Sequence, residues 1–192
     1  NGMATSIQDL LSGSGSMEVS NEAYDTAIFY SISNAQKGLT GINFGNFLIK
    51  RVVDKLTDEF SGLKNFSTLS PMPGFLDWLR GIDTGMLQFL ESAQIETLKT
   101  LDLGNGVGTN FVSYLNNENL FVQSKVSEKL RPILTKLSCH YILNAKRSSG
   151  TALDSVAHFH LNNGARVEQI NWGADISEKG IRQSAGLMVN YR

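Results

Sequence analysis

Leu63-Lys-Asn-Phe-Ser-Thr-Leu-Ser-Pro-Met-Pro-Gly-Phe75 reads as an apolar strand that ends abruptly at a rigid corner. Two of the three prolines in the chain fall here and bracket Met72. Each fixes its own φ and pushes the preceding residue out of the helical region. A strand over Leu63 to Ser70 is therefore expected to stop at a stiff loop that displays the Ser70 hydroxyl. That serine is open to two readings, a reactive group or a cap for a helix started by Pro71 or Pro73.

Upstream, Tyr24-Asp-Thr-Ala-Ile-Phe-Tyr-Ser-Ile-Ser33 is rich in strand formers and nearly free of charge, as a buried strand is. A stretch with glycines at 38, 41 and 45 follows it. Next, Asn46 to Leu56 repeats apolar residues at 47, 48, 49, 52, 53 and 56, the stripe of an amphipathic helix. Strand, glycine-rich loop, helix and second strand make a right-handed parallel βαβ unit or a close relative. The loop is either a plain tight turn or an anion cradle, where free N–H groups and the helix dipole meet a phosphate. Its spacing matches neither the dinucleotide fingerprint nor the nucleoside-triphosphate loop. In such sheets ligands sit at strand carboxyl ends, so this loop and Ser70 would share an edge.

Further out, residues 84 to 102 and 125 to 147 have helical spacing, with Pro132 as a kink or first turn in the second. Gly104-Asn-Gly-Val-Gly108 between them is expected to be a loop. Cys139, the lone cysteine, lies in an apolar helical run and is expected to be a buried core thiol. Asp154 is a good N-cap and Asn162-Asn-Gly164 a good stop, which predicts a short helix carrying His158 and His160. Read instead as a strand, that run would put both histidines on one face, but the companions of a metal site are missing. Ala165 to Trp172 and Gly186 to Tyr191 are expected to form an antiparallel ribbon across a polar turn at 175 to 180, with Trp172 in the core. The fold class is thus α/β (α+β), a mixed sheet with a parallel core, flanking helices and a C-terminal ribbon.

At the other end, residues 4 to 11 predict a short helix with a Thr or Ser cap, and Ser12-Gly-Ser-Gly-Ser16 a flexible linker, native or introduced. We expect residues 1–23 to be a trimmed leader and 24–192 the organised domain. The 192 residues have room for one core, and a net charge of −1 with few clustered bases argues against nucleic acid as partner. No run reaches the length of a membrane helix.

Three segments together resemble the malonyl-CoA decarboxylase family: Phe29 to Arg51 around Gly38-Leu-Thr-Gly-Ile-Asn-Phe-Gly45, Thr68-Leu-Ser-Pro-Met-Pro-Gly-Phe75, and Ala152 to Ala165 continued by Ile170-Asn-Trp172 and Met188-Val-Asn-Tyr-Arg192. The resemblance implies a fold like the GCN5-related N-acetyltransferases, lacking here the first strands of that sheet. It implies a grip on coenzyme A by Gln36, Gly38, Thr40, Gly41, Ile42, Asn43, Phe44, Gly45 and Asn46. It makes Ser70 and His160 the catalytic pair, acceptor and donor by the family's labels, with Asn171 and Tyr191 as lesser candidates for the acyl pocket. His158 stands where asparagine is usual, and Met72 where isoleucine is. The implied reaction is decarboxylation of malonyl-CoA to acetyl-CoA and CO2, with no metal and no cofactor beyond the coenzyme A of the substrate. A CoA-dependent acyltransferase or a catalytically incomplete CoA-binding fragment are the alternatives. The family implies homo-oligomers built through an N-terminal helical domain, in bacterial cytoplasm or in mitochondria and peroxisomes.

Overall fold

The structure, a computed structural model, describes residues 3–12, 25–30, 44–101, 107–115 and 124–192. A four-stranded sheet organises them, in the spatial order β1 (Thr26–Tyr30), β2 (Asn65–Pro71), β4 (Met188–Tyr191), β3 (Val167–Asn171). β1 and β2 are parallel, joined through helix α2 (Phe44–Glu59) as the βαβ pattern requires. β4 enters antiparallel to β2, with Thr68 opposite Tyr191 and Ser70 opposite Val189. β3 closes the sheet antiparallel to β4. The parallel core is thus a single pair, and the C-terminal ribbon docks directly onto it.

Strand side chains alternate between faces, so the pairing sorts the residues into two sets. Phe29, Phe66, Thr68, Ser70, Val189 and Tyr191 share one face by register. Helices α3 (Phe75–Ile82), α5 (Val107–Leu115), α6 (Ser124–Asn144) and α7 (Ser155–Asn162) contribute to the main core on that side. The opposite face carries Leu69 and Met188, covered with Ala174 by Ile7 of the short helix α1 (Ile7–Ser12). The Ile7 amide donates to the Ala174 carbonyl at 2.8 Å, which docks α1 on the sheet.

Several expectations change in the folded chain. The helix over 84 to 102 is two pieces, a 3-10 helix over Asp83–Phe89 and α4 (Ser92–Lys99). Leu90 turns extended between them, and the Gln94 side chain reaches back to accept the Glu91 amide at 3.0 Å, starting a new helix. Of the loop expected at 104–108, Val107 and Gly108 already belong to α5, while 104–106 lie outside the described residues. α6 ends at Asn144 and passes through Pro132 without breaking. Its buried stripe is Leu130, Ile133, Leu134, Leu137 and Tyr141. Cys139 is two residues past Leu137, about 200° round the helix, and is exposed rather than buried. The polar turn expected at 175 to 180 runs into helix α8 (Glu178–Ser184), because Ser177 caps it through the Gly180 amide. Trp172 packs against the main core as expected.

Candidate active site

Ser70 is the penultimate residue of β2 and caps no helix: α3 begins only at Phe75, after Gly74. The corner between them is held by its two remaining amides. Met72 donates to Ser184 Oγ at 3.1 Å, and Gly74 donates to Asp154 Oδ2 at 3.4 Å. Gly74 is required by space rather than by backbone angle, since a Cβ there would lie 2.4 Å from the Tyr141 hydroxyl. The prolines thus stiffen a loop that α8 and α7 also tie down.

Asp154 is the residue that couples this corner to His160. Its Oδ1 accepts the Val156 and Ala157 amides at 2.9 Å each, the N-cap that starts α7. Its Oδ2 accepts from the Tyr141 hydroxyl at 3.1 Å and from Gly74. A carboxylate only 1% exposed is tolerable here because four donors and the helix dipole face it. α7 then turns His160 inward to the sheet. His158, about 200° away, contacts the Asn162 side chain instead, which rules out the shared face of the strand reading.

His160 Nε2 lies 3.3 Å from Ser70 Oγ, across 90 residues of sequence. Both are buried, at 7% and 6% exposure. The imidazole stacks on the Tyr191 ring, centroids 4.4 Å apart and planes 20° from parallel. Burial pushes the His160 pKa down to about 4, against the opposing charge of Asp154, so the ring is neutral near pH 7. Ser70 donates its one proton to Thr68 Oγ1 at 3.1 Å. That leaves its oxygen as acceptor and Nε2–H of His160 as donor.

A cavity of about 270 Å³ opens on this face, lined by Phe29, Phe66, Thr68, Phe159, His160 and Tyr191 with Ile49, Lys50 and Val53 of α2. Of the pocket residues named from sequence, Tyr191 lines it. Asn171 is elsewhere: its amide donates to Asn190 Oδ1 at 2.6 Å, and by register both belong to the far face of the sheet. Gln36, Gly38, Thr40, Gly41, Ile42 and Asn43 lie outside the described residues. Phe44, Gly45 and Asn46 form the first turn of α2. Sequence reasoning missed Asp154 as more than a cap and missed Thr68 altogether. Period-two alternation with Ser70 was the signal available for Thr68.

The model of the malonyl-CoA decarboxylase C-terminal domain matches residues 1–192. This chain belongs to the malonyl-CoA decarboxylase family. It is 42% identical over 172 residues to mouse mitochondrial malonyl-CoA decarboxylase, covering 86% of this chain and 35% of that protein. It is 38% identical over 198 residues to the goose (Anser anser anser) mitochondrial malonyl-CoA decarboxylase, covering 99% of this chain and 39% of that one. Its structure superposes on malonyl-CoA decarboxylase from Cupriavidus metallidurans with a TM-score of 0.77 at 40% identity, over 99% of this chain and 45% of that one. The Rhodopseudomonas palustris malonyl-CoA decarboxylase gives 0.66 at 41% identity, over 88% and 36%. The chain therefore spans less than half of each of these malonyl-CoA decarboxylases. Mitochondrial and bacterial relatives are two of the settings the resemblance implied.

Proposed function

We propose that this domain decarboxylates malonyl-CoA to acetyl-CoA and CO2, with Ser70 and His160 as the reacting pair. The observation that supports it most is the buried 3.3 Å contact between Ser70 Oγ and His160 Nε2, with His160 at the wall of the cavity and Ser70 behind it, in a chain of this family. The carboxylate leaves as CO2 when the bond from it to C2 breaks, and the electron pair passes to the thioester oxygen as an enolate. C2 then takes one proton, so the reaction consumes one proton overall. A neutral imidazole whose Nε2 carries hydrogen is the right donor for a developing enolate oxygen, and it relays to C2 a proton that solvent replaces, so the ring ends neutral as it began. Ser70, held by the corner, keeps the carboxylate turned out of the thioester plane so that the breaking bond overlaps the carbonyl π system.

No base takes the Ser70 proton, which rests on Thr68 Oγ1 and turns to the carboxylate when the substrate is bound, so Ser70 is a positioner rather than a nucleophile. Coenzyme A enters as part of the substrate, gripped by the segment Gln36 to Asn46, and assembly of the intact protein belongs to the portion its relatives carry beyond this chain. The test is CO2 release from malonyl-CoA by the intact protein with no acyl acceptor added, which an acyltransferase would not give. His160→Ala and Ser70→Ala are each expected to lower kcat by about 10² to 10⁴. Turnover near wild type in both would overturn the assignment.

A further inference from the structure

The hydrogen bonds behind the cavity form a directed chain with one end unassigned. His160 Nε2–H donates to Ser70 Oγ, and Ser70 Oγ–H donates to Thr68 Oγ1. The proton of the Thr68 hydroxyl has no acceptor among the described residues. Its main-chain oxygen is a separate group, accepting the Asn190 amide at 2.9 Å.

Thr68 faces the cavity, and Ser70 is not among the residues that line it. Across the sheet Thr68 sits between Phe29 and Tyr191, with Phe66 one pleat away, so its hydroxyl is a polar point on an aromatic wall. Valine has the same shape and would fill that wall without a polar atom. A threonine is also stiff at χ1, so its oxygen is fixed and only the O–H torsion remains free. A stiff, neutral donor next to the Ser70 oxygen suits an anionic oxygen of the ligand, where a hydrogen bond is roughly twice as strong as to a neutral one.

We propose that Thr68 is a third catalytic residue, whose hydroxyl donates to the carboxylate of a malonyl thioester in this cavity. The inference rests on the decarboxylase reading above, but its binding test does not need turnover. Because acetyl-CoA lacks the carboxylate, the contact discriminates substrate from product. Calorimetry in the intact protein, with His160→Ala present to prevent turnover, compares malonyl-CoA with acetyl-CoA. Thr68→Val is expected to weaken malonyl-CoA binding by about tenfold and to leave acetyl-CoA within about twofold. Thr68→Ser keeps the hydroxyl and is expected to restore the difference. In a Ser70→Ala background, Thr68→Val is expected to weaken malonyl-CoA binding further, since the contact is made by Thr68 itself.

Equal loss for both ligands, no loss for either, no rescue by serine, or no further loss beside Ser70→Ala would each overturn the proposal. Thr68→Ala provides the same comparison should the valine variant not fold. Selective loss of malonyl-CoA binding, in a protein whose wild type releases no CO2, would overturn the decarboxylase reading and leave the Thr68 contact standing.

Discussion

Gly74 shows how narrowly the site is set at the level of single residues. Its φ of −94° is open to any amino acid, so a backbone argument gives no reason for glycine. The reason is the Tyr141 hydroxyl, 2.4 Å from where a Cβ would stand and itself fixed on Asp154. Gly74→Ala must displace a buried ring or the corner, at an expected cost of about 1–3 kcal/mol in urea denaturation. Tyr141→Phe removes the clashing oxygen. The double variant is therefore expected to recover part of that loss, a coupling read from the four-member cycle.

Tyr191 is the other residue of note, since its hydroxyl is buried without a partner among the described residues while its ring carries His160. Burial raises its pKa, so it stays a neutral phenol beside a neutral imidazole. The stack keeps the Nε2 edge aimed along the sheet at Ser70 rather than into the core.

Among the elements, α7 bears most on the site, because one carboxylate both starts this helix and fastens it to the Ser70 corner. Asp154→Ala is expected to cost about 0.5–2 kcal/mol for the cap. Tyr141 and Gly74 would also lose their acceptor, adding to that loss. Asp154→Asn separates the two roles, since asparagine caps as well as aspartate does but presents an amide NH2 to one side. It is expected to hold most of the stability and still lower the rate of CO2 release. A fall in rate without a matching fall in the urea midpoint is the result that identifies positioning.

Neighbouring elements repeat the pattern on a smaller scale. α8 supplies Ser184 to the Met72 amide, which makes a helix absent from the sequence reading part of the corner's support. Its cap at Ser177 was visible in the sequence. The ribbon pattern around it hid the cap, because a polar turn and a seven-residue helix have the same composition.

For the molecule as a whole, the sheet separates two faces with different duties. The site lies on the face that packs the main core, and α1 docks on the other. Ile7→Asp is expected to free α1, seen as faster hydrogen exchange at the amide of position 7, while CO2 release stays near wild type.

The protonation of His160 contributes to the loss of stability in acid. Its folded pKa of about 4 is below the ordinary value of 6.5, so between those values the unfolded chain binds the extra proton. Stability contributed by the neutral ring is present above pH 6.5 and is lost as pH falls toward 4. His160→Asn is expected to flatten the drop in Tm between pH 7 and pH 4.5 relative to wild type. The acid limb of kcat/KM is expected near pH 4 rather than near 6.5.

The sequence by itself determined the βαβ start, the stop at Pro71 and Pro73, the Asp154 cap and the antiparallel ribbon. Each is set by local chemistry: proline geometry, an N-cap side chain, or the period of apolar residues. The family motifs also named Ser70 and His160, though spacing alone left that serine between cap and catalyst. Tertiary structure decided what lies beyond the reach of local pattern. It exposed Cys139, because the face of α6 that meets the core is fixed by neighbours rather than by hydropathy alone. It sent Asn171 to the far side of the sheet, because strand register assigns faces. And it joined Thr68, Ser70 and His160 into one hydrogen-bonded chain, since only the packing of α7 against β2 brings side chains 90 residues apart within 3.3 Å.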